Sequence, residues 1–365
     1  MTKAVIARSM ARFKQLCCLG LGGETVMPAL VHELHTLVPS LRSMFFFADE
    51  RGGLTNVYTE SIEHTATTQL YLSEFHGRRD RDIPGFSFDD AMRSQFGVHD
   101  LEAMRVDEKA FRRTDFYNLL FRPVGRGSDY IRLVMRDRGR GLGMFTTFRS
   151  PGDSHFSHEE KRRLASLETF FVHALKDHSQ TDVQLVDSGL SGLVIADREG
   201  TPVYFSTEGR RLLFRATHPN LLSGTGSIQW NVLPAPLKRI CRDLSRVFSG
   251  DDIASAPAYH HRNVLGGFTF RAHRLHGEDP ACGLIGITVT HQEPVPVKLV
   301  RRIGEMPLSP RQAEVCMLIS HGLDYNKIAE QLGISKHTAI AHSRWIYNKL
   351  DVHNRSELVN LLLYA

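Results

Sequence analysis

Cysteine is scarce in this 365-residue chain, with five in all and no C-x-x-C pair. That excludes a disulfide framework and a four-thiolate zinc site, and it fits a reducing compartment. Tryptophan is scarcer still, represented by Trp230 and Trp345 alone. No stretch approaches the roughly 18 uninterrupted apolar residues of a membrane helix. The opening run MTKAVIARSMARFKQLCC is broken by Lys3, Arg8, Arg12 and Lys14 where a signal peptide keeps an apolar core, so an amphipathic helix of a cytoplasmic protein is expected. Charge of one sign is not in large excess either: 45 Lys and Arg face 40 Asp and Glu, a formal net charge of +5. Most of that excess lies between Leu101 and Arg163, with 14 basic and 9 acidic residues, against 8 and 6 between Arg301 and Ala365. Bulk charge therefore permits nucleic-acid binding without pointing to it, and any assignment to DNA rests on a motif. Patterns of the G-x-S-x-G, H-E-x-x-H and phosphate-loop kinds are also absent, and nothing points to an enzyme or a cofactor.

The composition is that of an ordinary globular protein, 42% hydrophobic and 23% charged, and the length suggests two or three domains. In the first 180 residues two apolar-periodic helices precede SMFFFADERGGLTNVYTE, which reads as a hairpin around Gly52-Gly53. A helical stretch from His64 to Phe75 and an irregular charged region lead to a second hairpin, YIRLVMRDRGRGLGMFTTFRS. Ser157 and Glu160 then have capping-box spacing, and Leu164, Leu167, Phe171 and Leu175 recur at helical intervals, predicting one amphipathic exit helix to about Asp177. Antiparallel hairpins followed by Phe156-Ser157-His158-Glu159-Glu160 at the head of an exit helix resemble the GAF family of sensory domains.

From about Gln180 a short helix, a strand, a turn at Asp197 to Gly200, a second strand and a helix are expected. A helix over LPAPLKRICRDLSRVFSG and three strands, AYHHRNVL, GGFTFRAHRLH and CGLIGITVTHQ, follow. With Gly192 to Gly200 as its opening, this order resembles a PAS domain, with Ser206 where that family often has Asn. Pro294, Pro296 and Pro307 around a short basic run read as a linker.

Several residues look chemical without forming a site. Among nineteen histidines, His32 and His35 share a helix face and His155 lies near His158, while a strand sends His273 and His276 to opposite faces. No metal is expected. His260, His261 and His273 lie on neighbouring strands, where they either line a ligand cavity or are solvated. Cys17 and Cys18 read as small core residues.

The last sixty residues carry the sharpest signal. Ser309, Pro310 and Gln312 can open a helix that Gly322 ends, Gly333 supplies a turn after a short second helix, and Ser335 can cap a third helix to about Leu350. On that third helix Ala339, His342, Ile346 and Leu350 share one face, while His337, Ala341, Arg344 and Asn348 point roughly opposite, with Ile340 beside them. A tight helical pair whose second member shows a small, partly basic outer face has the geometry that enters a major groove.

These residues resemble the LuxR-type (NarL/FixJ-type) helix-turn-helix family from Leu308 to about Val359. The matching phrases are LSPRQAEV, with Glu314 as the family's acid; GLDYNKIAEQLGIS, with Asp324 in place of the usual Ser or Thr; and Thr338-Ala339-Ile340-Ala341-His342, followed by Ile346, Lys349-Leu350 and Arg355. Ile340 stands where the family usually has Lys. The resemblance implies DNA contacts by Asn326, Lys327, Lys336, His337, Thr338, Ile340, Ala341, Arg344, Asn348 and Lys349. His342 is expected in the core, and the closing run LVNLLLYA in a dimer contact.

The expected fold is therefore α+β: two antiparallel-sheet sensory domains, GAF-like over 1–180 and PAS-like over 181–296, a linker over 297–304, and an all-α helix-turn-helix domain over 305–365. The expected function is that of a transcription regulator binding double-stranded operator DNA as a homodimer. A small organic effector within the sensory part would control it, and contact with RNA polymerase is an expected further partnership. The rival reading is a regulator whose sensory domains dock another protein.

Overall fold

Two helices, α1 (Lys3–Cys17) and α2 (Gly23–Leu37), open the computed structural model, which describes residues 2–93, 95–176, 183–222, 230–249, 256–275 and 283–364. They pack on a sheet built from β1 (Arg42–Ala48), β2 (Leu54–Thr59), β3 (Gly97–His99), β4 (Tyr130–Asp137) and β5 (Arg140–Phe148). The spatial order is β2-β1-β5-β4-β3, and all neighbours are antiparallel. Both expected hairpins are present. Pairing of β1 with β5, Phe45 opposite Phe145, joins them into one sheet.

Side chains alternate across a strand, so the sheet has two separately committed faces. Phe45, Phe47, Ile131, Leu133, Met135 and Phe145 face α1 and α2, together with α7 (His158–Ala165) and α8 (Glu168–Leu175). Met44, Phe46, Tyr130, Val134, Met144 and Phe148 face the opposite way. There they are covered by the chain between β2 and β4, which includes α3 (Thr65–Leu70), α4 (Phe88–Arg93), α5 (Glu108–Phe111) and α6 (Asp115–Leu120). Burial on both faces is why β1 reads as an unbroken apolar run. The capping box of Ser157 and Glu160 forms, but the single exit helix is divided at Ser166–Leu167 into α7 and α8. Its expected end near Asp177, and the domain boundary at 180, lie outside the described residues.

The second sheet comprises β6 (Leu185–Ala196), β7 (Pro202–Phe205), β8 (Ala258–Asn263), β9 (Gly266–Arg274) and β10 (Ile285–Pro294), ordered β7-β6-β10-β9-β8. Helices α9 (Thr207–Thr217) and α10 (Ala235–Ser249) close one face over Val194, Phe268, Phe270, Ile287 and Val289. Where α9 crosses β6 the backbones nearly touch. A Cβ on Gly192 would sit 2.2 Å from the Gly209 nitrogen, so that crossing requires glycine. The short helix expected ahead of the first strand is replaced by β6 itself, because β10 pairs with it as far as Leu185, opposite Pro294. His260 and His273 are exposed and His261 is half-buried. The buried histidine of this sheet is His291, whose ring bonds Ser188 Oγ at 3.0 Å and the Leu265 carbonyl at 2.9 Å.

The segment 297–304, expected as a linker, lies within a packed helix, α11 (Val295–Glu305). Pro294 and Pro296 stand at its N-terminus, where a missing N–H costs no hydrogen bond, so the prolines start the helix. Val297, Leu299, Val300 and Ile303 are buried against α1 and the terminal helices. Lys298 Nζ donates to the Asp187 carbonyl at 2.6 Å, and Arg12 pairs with Glu33 at 2.7 Å while reaching the Gly304 carbonyl at 3.4 Å. Among the described residues no helix is long and apolar enough to cross a membrane.

Candidate DNA-binding site

Four helices end the chain: α12 (Pro310–Ser320), α13 (Tyr325–Leu332), α14 (Lys336–Leu350) and α15 (Arg355–Tyr364). Local hydrogen bonds set where three of them start. The Ser309 hydroxyl accepts the Gln312 N–H at 3.3 Å, and the Gln312 side chain accepts the Ser309 N–H at 2.9 Å. At α13 the Asp324 carboxylate accepts the N–H groups of Lys327 at 3.0 Å and Asn326 at 2.9 Å, and these bonds hold its pKa below the usual carboxylate range. Asp324 thus performs the capping that the family's Ser or Thr would. Gly333 adopts a left-handed conformation, φ 61°, and ends α13. Ser335 then accepts the Thr338 N–H at 3.0 Å and starts α14 two residues after the turn.

The angle between α13 and α14 is held by a small core and two polar ties. Val315, Cys316 and Ile319 of α12 pack with Ile328 of α13, and Ala339 and Ile346 of α14. Arg311 bonds Glu314 at 2.6 Å and also donates to the Leu332 carbonyl, fastening α12 to the end of α13. The Tyr325 hydroxyl and Ser343 Oγ, 3.0 Å apart, tie α13 to α14.

Of the expected DNA contacts, Asn326 and Lys327 are exposed at the start of α13, and Lys336, His337, Arg344, Asn348 and Lys349 are exposed on α14. Thr338, Ile340 and Ala341 are half-buried; at 100° per residue Ala341 lies within the strip of His337, Arg344 and Asn348, and Ile340 at its edge. His342 is half-buried at the side of α14, and the buried position beside it belongs to Ser343. One residue escaped the sequence reading. Trp345 is 57% exposed, its ring edge-on to His342 with centroids 5.5 Å apart, and it adjoins Ala341 on the outer strip. The signal was its spacing of four from Ala341. The apolar excess of α15, expected in a dimer contact, is used within the chain: Leu358, Leu362 and Leu363 are buried, and α15 packs on α11 and α12. Tyr364 remains exposed.

The histidine and cysteine candidates stay apart from any such site. No group of three or more His, Cys, Asp or Glu side chains converges among the described residues, which exclude His276. Cys17 is buried in the core, where burial and the neighbouring Cys18 push its thiol pKa up, whereas Cys18, expected in the core as well, is exposed.

The model of the bacterial regulatory proteins of the luxR family matches residues 306–362. Those residues form a LuxR-family helix-turn-helix domain. The Fimbriae Z protein of Salmonella typhimurium is 39% identical over 56 residues, which are 15% of this chain and 27% of that protein. A putative HTH-type transcriptional regulator in the exeN 3′ region of Aeromonas salmonicida is 39% identical over 61 residues, 17% of this chain and 31% of that protein. The chain thus spans less than a third of the length of these curated relatives. Among solved structures, a Vibrio cholerae VqmA–ligand–DNA complex matches at 16% identity and a TM-score of 0.19, covering 47% of this chain and 82% of that one. The Escherichia coli DhaR(N)–DhaL complex matches at 13% identity and a TM-score of 0.26, covering 80% and 91%. Helices α13 and α14 both lie within the matched residues.

Proposed function

We propose that the chain is a cytoplasmic transcription regulator that binds operator DNA as a homodimer through α14 and answers to a small organic effector held in its sheet-containing part. The observation that carries this reading is the outer strip of α14, where His337, Arg344, Trp345 and Asn348 are exposed at the spacing of one helix face. Arg344 offers a bidentate donor to guanine, and Ile340 and Ala341 offer apolar contact to a thymine methyl. Lys336, Thr338 and Lys349 flank that strip and meet phosphates, as do Asn326 and Lys327 at the start of α13. Regulation is proposed to pass through α11, whose buried residues touch both the sensory helices and the LuxR-family domain. Contact with RNA polymerase, GAF-like and PAS-like identities for the two sheets, and a boundary at 180 belong to the same proposal.

The test is a gel shift of the full chain on its own upstream DNA, with Arg344→Ala beside the wild type. Retarded, saturable binding that Arg344→Ala weakens is expected. Failure of the wild type to bind without an added protein would favour a regulator that works only within a larger assembly.

A further inference from the structure

The inner face of the first sheet holds two charges that the DNA-binding reading leaves unexplained. Arg126 and Arg132 are 4% and 5% exposed, and neither guanidinium meets a carboxylate among the described residues. Both line one cavity of about 50 Å³. Strand alternation brings Arg132 there, because Tyr130, Arg132 and Val134 share a face, with Thr146 opposite Arg132 on β5. Ring contacts hold the two planes: Arg126 lies 4.4 Å from the Phe148 ring centroid, and Arg132 lies 5.0 Å from that of Phe86. Arg126 donates to the Leu120 carbonyl at 3.3 Å and Arg132 to the Phe86 carbonyl at 2.8 Å. The Nε atoms of both arginines, the Tyr130 hydroxyl and Thr146 Oγ1 are buried with no partner among the described residues.

Buried unpaired charges are expensive, and a protein keeps them where a counter-charge arrives. Two guanidiniums supply donors only, and two hydroxyls supply further donors, so the complementary group is a pure acceptor carrying negative charge. The rest of the wall is mainly aromatic, thioether and aliphatic, and its Thr67 and Thr68 hydroxyls are taken up by the His64 carbonyl, which suits an apolar body. We propose that this cavity binds a small organic carboxylate, its carboxylate held by Arg126 and Arg132 and its apolar body against the aromatic wall. Burial lowers the Arg126 pKa only to about 10, so its charge persists at neutral pH. The volume admits the acid group and a few carbon atoms, and Met44 and Met144 at the wall have the flexible side chains that let a longer body enter. This assignment rests on the effector reading above and gives it a ligand class.

The test is calorimetry and thermal melting of the full chain with butyrate and benzoate, their neutral counterparts butyramide and benzamide, and inorganic phosphate. At least one acid is expected to bind and raise the melting temperature, about ten-fold more tightly than its amide, as a charge-assisted pair requires. Arg132→Met is expected to abolish that preference, and Tyr130→Phe, which removes one hydroxyl, to weaken the acid while leaving the melting transition intact. The proposal is overturned if the amides bind as well as the acids, if phosphate binds in their place, if neither acid binds, or if folded Arg132→Met keeps the preference. A bound acid that leaves affinity for the upstream DNA unchanged would overturn the effector reading while the carboxylate site stood.

Discussion

Arg344 and Lys349 are both exposed basic residues on α14, and the proposed reading gives them different work. Arg344 lies in the outer strip with His337 and Asn348, so its removal should cost roughly 1–3 kcal/mol on the preferred site and relax one base position. Lys349 flanks the strip, and Lys349→Ala should weaken all sequences alike and reduce the salt slope by about one. Fluorescence anisotropy on matched and scrambled duplexes distinguishes the two, and equal losses on both duplexes for Arg344→Ala would remove its role in base reading. A second residue-scale expectation concerns pH. Burial pushes His291 and His64 down to about 4, with nearby arginines adding to the effect. The unfolded histidines titrate near 6.5, so as pH falls from about 6.5 toward 4 the unfolded chain takes up protons that the folded chain refuses. The stabilisation from their neutral forms is complete above that window and is lost through it, by up to about 1.4 kcal/mol per pH unit for each histidine. His291→Gln should therefore flatten the acid limb of unfolding free energy against pH, and an unaltered limb would show that His291 is not the group titrating.

At the scale of elements, α11 is the piece on which the chain's organisation depends. Its Ile303 is 2% exposed between α1 and the terminal helices, so Ile303→Ala should cost about 2–4 kcal/mol, read from denaturant unfolding monitored by tryptophan fluorescence. A loss below about 0.5 kcal/mol would mean that the seat of α11 is looser than its burial indicates. The prolines that suggested a linker are the reason α11 was not legible: Pro294 and Pro296 break a helix interior but suit its first turn, and only the tertiary partners decide between the two. The hairpins of the first sheet were legible because turn glycines and β-rich runs are local signals. The first half of strand β6, expected as a short helix, was not, since its pairing with β10, Leu185 opposite Pro294, spans about a hundred residues of chain. In the terminal domain the caps at Ser309 and Ser335 are written in the sequence, and Ser335→Ala should destabilise α14 by about 1 kcal/mol. Trp345 was placeable from helical spacing alone, whereas Ser343 was not: a buried hydroxyl on α14 becomes intelligible only once Tyr325 is seen 3.0 Å away.

Across the whole molecule one apolar core runs from α1 and α2 through α11 into α12, α14 and α15. A packed route thus joins the first sheet to α14, and it is the route along which the proposed ligand of the buried arginines would act. Arg132 was invisible in sequence for a physical reason: a lone Arg in a strand reads as a solvated charge, and only a sheet covered on both faces turns it inward. The measurement that bears most directly on the molecule as a whole is binding of the full chain to a randomised DNA library at two salt concentrations, with Arg344→Ala and Ile340→Lys as variants. A defined base preference in the wild type, relaxed at one position by Arg344→Ala and altered by Ile340→Lys, is the expected result. A preference unchanged in both variants would contradict the assignment of this face of α14 to the major groove.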